Sequence, residues 1–223
     1  IIEKKIKRVV ISQKDPNPLV NGKSIKMLKK SGIDVELGVL KEEAMRLNKS
    51  FNHFFLKKTP YITAKIGMSL DGKIADHNWK SKWITSKKSR DDVQKERALS
   101  SSILCASSTI IKDNPQLNVR NKIYLSKIKE QPSLLILDKD LKIPLTSNIF
   151  KDTKRSIYIF TSKNPEKTYK NNVTLVKTLV KNKMLDLSFI FAYVASQNIN
   201  SIFVESGPKL LSSMIENNFI DEY

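Results

Sequence analysis

"SIFVESGPKLLSSMIENN", residues 201–218, decides the fold class. Its first half is an apolar run of buried-strand type. Its second half predicts a helix opening on Pro208, because proline in the first helical turn forfeits no hydrogen bond. Between them lies the short turn Glu205–Gly207. Gly207 lets a ligand approach the backbone, and the free N–H groups and positive dipole end of the following helix suit a phosphate. A carboxylate at the end of a buried strand, as at Glu205, must face a cleft or a partner.

Outward from this turn, strands alternate with helices. "SLLILD" (133–138) and "SIYIFTS" (156–162) are further apolar runs of buried-strand type, "SSILCAS" is strand-like, and "LVKTLV" is a candidate strand. "LDLSFIFAYVASQ" places Leu187, Ile190, Phe191 and Val194 on one helical face. Thr85 or Ser86 can cap a helix "KKSRDDVQKERAL" that carries Asp91 and Asp92 in its first turns. "YITAKIGMS" reads as a strand interrupted by Lys65, either a solvent-facing lysine on an edge strand or a site residue. "SKIKEQP" (126–132) reads as an exposed loop. Nearer the start, "RVVISQ" (8–13) and "IDVELGV" are strands flanking a helix "KSIKMLKKSG" that stops at Gly32. "KEEAMRLNKSFNHFF" spaces Ala44, Leu47, Phe51 and Phe54 as one helix with one apolar face, ended before Pro60. The expected class is α/β.

The 223 residues are 40% apolar, enough for one good core or a main domain plus a smaller unit. No apolar run reaches the length of a membrane span. Cys105 is the only cysteine, so no internal disulfide or cysteine-pair metal site exists, which fits a reducing, cytoplasmic setting; the thiol is expected to be a buried small hydrophobe. The net charge of +18 raises nucleic-acid binding. Arginine, however, stands only at positions 8, 46, 90, 97, 120 and 155, and lysine supplies the other 34 of the 40 basic residues. Lysines spread through nearly every segment indicate drift in composition and not a nucleic-acid face. The positive surface would still attract a phosphorylated substrate. A zinc deaminase needs His-x-Glu and Pro-Cys-x-x-Cys, and the chain has neither. P-loop and Gly-x-Gly-x-x-Gly markers are also missing.

Four blocks, "AKIGMSLDGKIA", "SKWIT", "DDVQKERALSSSILCASSTIIKDNPQLNVR" and "VESGPKLLSSMIENNFIDEY", resemble in order and spacing the reductase domain of the bifunctional riboflavin-biosynthesis deaminase/reductase family. The resemblance covers residues 60–223. Residues 1–57 resemble the last part of that family's deaminase domain, without its zinc site. It implies a dihydrofolate-reductase-like fold, a mostly parallel central sheet flanked by helices, preceded by a small αβ remnant, and a sheet left incomplete at the C-terminus. It further implies NADPH-dependent reduction of 5-amino-6-(5-phosphoribosylamino)uracil to the ribityl compound.

The site follows by resemblance, residue by residue. Gly67, Trp83, Thr109, Asp113 and the turn Gly207, Pro208, Lys209, Leu210, Leu211, Ser212 and Ser213 match cofactor positions. Ser81, Arg97, Leu117, Arg120 and Glu205 match substrate positions, with the arginine pair suited to the ribose phosphate. Lys65 matches a lysine near the reacting sugar, and Lys65, Glu205 and Asp113 are the candidate catalytic residues. Proton delivery is open between Asp113 and a water. Lys139 departs from the family's small hydroxyl residue; it could pair with the 2′-phosphate of NADPH or have no role there. The implied partners are the phosphorylated aminopyrimidine, a second copy in a homodimer and a separate deaminase for the preceding step, with no membrane and no nucleic acid. The alternative of another class is a basic nucleic-acid-binding protein, or a relic without catalysis; salt-sensitive nucleic-acid binding without NADPH binding would mark it.

Overall fold

A computed structural model describes residues 1–78, 84–166 and 168–223. The chain divides into two compact units, Ile1–Tyr61 and Ile62–Tyr223. In the first, β1 (Arg8–Ile11) and β2 (Asp34–Leu37) pair in parallel around α1 (Lys23–Lys30). The single helix expected beyond them is two: α2 (Lys41–Leu47) and α3 (Lys49–Lys57). Asn48 breaks them, with φ −112° and ψ 32°, and its side-chain amide bonds back to the Ala44 carbonyl. An asparagine competing for its own helix's carbonyls is a known breaker. The break also dissolves the expected apolar face, and Leu47 is 85% exposed.

The second unit is opened by β3 (Tyr61–Ala64), followed by α4 (Lys87–Leu99), β4 (Ser102–Ala106), α5 (Ser107–Asp113), α6 (Lys122–Leu125), β5 (Ser133–Leu137) and β6 (Ile157–Thr161). Then come β7 (Val173–Lys177), the small antiparallel pair β8 (Val180–Lys181) and β9 (Met184–Leu185), α7 (Leu187–Ser196), β10 (Ser201–Val204) and α8 (Pro208–Glu216). Six strands form one sheet in the order β3-β10-β4-β5-β6-β7. β10, β4, β5, β6 and β7 are parallel neighbours in turn. This is the expected mostly parallel sheet flanked by helices. On the outer side of β3, Thr63 bridges Glu222 in parallel and the Ala64 N–H donates to the Glu222 carbonyl.

Helix starts follow local chemistry. Ser86 caps α4 by accepting the Ser89 N–H, and Asp186 caps α7 by accepting from Ser188 and Phe189. Pro208 stands at the start of α8. Asp91 and Asp92 fall beyond the first turn of α4. The expected strand through Lys65 stops at Ala64, and residues 65–78 are irregular. There the Ser69 hydroxyl bonds Asp71, Lys73 pairs with Asp71 at 2.8 Å, and Gly72 takes φ 79° in the turn.

Alternation along each strand covers both faces of the sheet. Leu104, Leu135, Phe160 and Val204 pack with Ile190, Phe191 and Val194 of α7 and Met214 of α8. Ile103, Cys105, Leu134, Ile136 and Ile159 pack on the other face with Ile110, Leu117, Ile149 and Phe150. Each such buried apolar side chain contributes about 1.5–3 kcal/mol.

Candidate functional site

From β4 the chain runs to β5, β6 and β7 on one side, while β10 and β3 occupy the other. Such a reversal of strand order leaves a crevice beyond the carboxyl ends of the strands. The residues there come from three neighbouring strand ends. The Lys65 N–H, just past β3, donates to the Val204 carbonyl at 3.0 Å, and the Glu205 N–H, just past β10, donates to the Leu104 carbonyl at 2.9 Å. Of the adjacent parallel strands β4 and β10, β4 leads directly into α5 and β10 leads through the turn Glu205–Gly207 into α8. Their turns are tied where the Ala106 N–H donates to the Ser206 hydroxyl at 3.3 Å.

Glu205 does face a partner, and it is Arg97. The Arg97 Nε donates to Oε1 at 2.6 Å and Nη2 donates to Oε2 at 3.0 Å. Both side chains are over nine-tenths buried. The remaining guanidinium nitrogen, Nη1, donates to the Asn118 carbonyl at 2.8 Å. A two-pronged pair of this kind fixes both planes and leaves the outer lone pairs of the carboxylate available. Arg97 and Glu205, expected as two separate substrate contacts, thus form one unit. The Lys65 side chain is half-buried, and its ammonium has no hydrogen-bond or ion-pair partner among the described residues.

Arg120 lies near this pair. Its Nη1 donates to Asn118 Oδ1 at 3.1 Å, and burial together with the Arg97 charge holds its guanidinium below the ordinary arginine range. Leu117 is buried with φ 49°. Beside it sits Arg155, which the sequence reading did not single out. Arg155 is 3% exposed, donates from Nη1 to the Leu117 carbonyl at 2.6 Å, and is pushed down to about 10 chiefly by burial. Three of the chain's six arginines therefore meet around Leu117–Asn118. Their rarity in a lysine-rich chain was the signal available, because a planar five-donor fork cannot be replaced by an ammonium.

On the cofactor side, Gly207 has φ −75°, which any residue adopts. A Cβ built there would meet only Thr109 Oγ1, at 3.9 Å. Neither strain nor crowding among the described residues requires glycine. A Cβ on Gly67 would likewise meet only Thr85 Cγ2 at 3.8 Å. Pro208, Lys209 and Ser212 are exposed and Leu210 is half-buried, whereas the Leu211 and Ser213 side chains turn into the body of the protein. Asp113 is exposed at the far end of α5, about 9 Å of helical rise from its start. Lys139 donates from Nζ to the Lys183 carbonyl at 3.1 Å. Ser81 and Trp83, with Trp79, lie outside the described residues. Cys105 is fully buried, and burial pushes its thiol up to about 12. Among the described residues no cluster of three or more His, Cys, Asp or Glu could hold a metal, and no helix is long and apolar enough to cross a membrane.

This arrangement can bind an anion between arginines and an elongated ligand along two helix starts. Comparison with known proteins bears on which. The family described as the RibD C-terminal domain matches residues 60–223. The riboflavin biosynthesis protein RibD of Aquifex aeolicus is 37% identical over 221 residues, covering 99% of this chain and 61% of that protein. A 5-amino-6-(5-phosphoribosylamino)uracil reductase of Buchnera aphidicola is 37% identical over 153 residues, covering 65% of this chain and 73% of that protein. The crystal structure of a deaminase/5-amino-6-(5-phosphoribosylamino)uracil reductase from Thermotoga maritima superposes with a TM-score of 0.83 at 34% identity, over 97% of this chain and 58% of that one. The chain thus spans about three fifths of the length of the RibD proteins it matches. With its sheet order, its dihydrofolate-reductase-like fold and this similarity over the whole second unit, the chain belongs to the RibD C-terminal domain family.

Proposed function

We propose that this chain reduces 5-amino-6-(5-phosphoribosylamino)uracil to 5-amino-6-(5-phosphoribitylamino)uracil with NADPH. The observation that carries the reading is the charge at the strand ends. Arg97, Arg120 and Arg155 converge there, and Glu205 is the one carboxylate hydrogen-bonded to any of them among the described residues. Arg97 is neutralised by Glu205, but exposed Arg120 and buried Arg155 have no carboxylate hydrogen-bonded to them among the described residues, so the positive charge beside the pair favours an anion, and a ribose phosphate is a dianion of suitable size. The similarity to the Buchnera reductase supplies the rest of the substrate.

Bound NADPH would supply the hydride received by C1′ of the ribose chain. The chain's own residues bind and orient. Arg120, with the free N–H groups of Arg97, takes the phosphate. Glu205, held rigid by Arg97, and Lys65 on the neighbouring strand end position the ribose hydroxyls. Such positioning at about 3–3.5 Å is what hydride transfer chiefly needs. The open backbone at Gly207, the Thr109 hydroxyl and the N-terminus of α8 fit a cofactor pyrophosphate. Exposed Lys209 favours the extra phosphate of NADPH over NADH. Residues 1–57 are read as the end of a deaminase-like domain and carry no zinc ligands; the proposed substrate is already deaminated, so a deaminase acts before this step. A homodimer is the expected assembly, checked by sedimentation.

The test is NADPH oxidation with the deaminated substrate, read together with formation of the ribityl product. Absence of substrate-dependent oxidation by folded protein overturns the activity. Equal kcat/KM with NADH overturns the cofactor preference.

A further inference from the structure

Residues 116–121, between α5 and α6, form no helix or strand until Asn121 caps α6, yet nearly every peptide group along them is held by a side chain from elsewhere. Arg155 donates to the Leu117 carbonyl and lies 3.5 Å from that of Gln116. Arg97 donates to the Asn118 carbonyl. Gln131 both accepts the Val119 N–H at 2.8 Å and donates to its carbonyl at 2.9 Å. Gln94, buried on α4, accepts the N–H groups of Arg120 at 2.6 Å and Asn121 at 3.2 Å on one oxygen. The loop thus runs as a rigid strip without a ladder, and Leu117 sits in it at φ 49°, where a leucine is strained.

Arg155 is the anchor least explained by stability. It is buried, and its Nε and Nη2 have no hydrogen-bond partner among the described residues. Burial disfavours its cation most; of the charges near it, Asp152 favours that cation and Arg97 opposes it. A buried, half-satisfied guanidinium is a costly way to hold one turn. What it holds is the peptide next to Asn118, whose carbonyl and side chain orient Arg97 and Arg120.

We propose that Gln94, Gln131 and Arg155 are positioning residues that fix the Gln116–Asn121 loop as an anion clamp, so that Arg97 and Arg120 meet the substrate's phosphate in one geometry. The inference rests on the reductase reading for the identity of the substrate. The clamp itself requires only an anionic sugar phosphate.

Arg155→Met and Gln94→Met remove an anchor; Arg155→Lys and Gln94→Glu restore a donor or an acceptor at the same place. Steady-state kinetics on the full chain should show KM for the phosphorylated aminopyrimidine raised about ten- to a hundredfold in the Met variants, as expected for a misplaced charged hydrogen bond. The NADPH dependence and kcat should change little, and the Lys and Glu variants should recover most of the loss. Ribose 5-phosphate binding by calorimetry should weaken in parallel. KM and ribose 5-phosphate affinity unchanged in folded Met variants overturn the proposal. So does a loss confined to melting temperature, or one that lowers kcat with KM constant. Should one Met variant fail to fold, the other decides. Wild-type protein that binds ribose 5-phosphate but oxidises no NADPH defeats the reductase reading while the clamp stands or falls on the variants' affinities; wild-type protein that does not bind ribose 5-phosphate defeats the clamp.

Discussion

Substituting Glu205 by glutamine keeps its shape and removes its charge. In the folded protein Arg97 would lose the ionic partner of two hydrogen bonds, at 2.6 and 3.0 Å, in a place where both side chains are over nine-tenths buried. One amide oxygen could still accept from Nε, but the amide NH2 would then face Nη2, donor against donor. Breaking a buried pair by removing one charge costs about 3–5 kcal/mol. That is a large part of the total stability of a domain, and in a chain of this size it lowers Tm by about 6–20 °C. Turnover should fall as well, because the carboxylate that orients the sugar is the same group. The double change Arg97→Met with Glu205→Leu should recover part of the melting temperature, since an apolar pair leaves no buried charge unpaired although the Asn118 carbonyl loses its Arg97 donor, while activity stays lost. Thermal unfolding by circular dichroism and NADPH oxidation on the same samples separate the two effects. A Glu205→Gln protein that melts within a degree of wild type would refute the argument, for the pair would then hold nothing.

Lys65→Met should behave oppositely: with no partner for its ammonium among the described residues, stability should change by under about 0.5 kcal/mol while kcat/KM drops one to two decades; preserved turnover would end its role. Gly207→Ala should leave Tm unchanged, since its Cβ meets only Thr109 Oγ1 at 3.9 Å, and weaken NADPH binding measured by fluorescence titration. Cys105 should resist thiol reagents except at the rate of unfolding. Because its folded value of about 12 lies above the ordinary thiol value of 9.0, its contribution to stability is intact below about pH 9 and is lost as pH rises towards 12, where the unfolded chain has already released the proton.

What the sequence made legible is what short-range chemistry governs. Buried-strand runs such as 133–138, the Ser86 cap and the Pro208 helix start are each set by neighbours a few residues away, and the α/β class followed from them, whereas the mostly parallel sheet rested on the family resemblance. The Asn48 break was hidden because the apolar spacing of Ala44, Leu47, Phe51 and Phe54 outvoted one side-chain amide. Lys65 lies one residue past β3, although its N–H still donates to the Val204 carbonyl at the end of the neighbouring β10. Least legible was the Arg97–Glu205 pair, whose partners stand 108 residues apart. Burial of a carboxylate could be foreseen; which cation would answer it could not. Arg155 was missed because nothing around it in the chain marks an arginine that reaches back to the carbonyl of Leu117.

The placement of β10 between β3 and β4 has a consequence for how the molecule is made. On the ribosome, β4, β5, β6 and β7 emerge in the order in which they lie, and each can dock beside its predecessor as it appears. β3 emerges before all of them yet has no neighbour in that growing sheet until Ser201–Val204 arrives, and its outer side waits for Asp221 and Glu222, 159 residues after their partners Ile62 and Thr63. Until then two apolar strand edges stay open, a state that invites association with other chains. The crevice is therefore the last part of the second unit to exist, and slow closure of long-range contacts, not formation of the β4–β7 sheet, should limit the appearance of function during refolding.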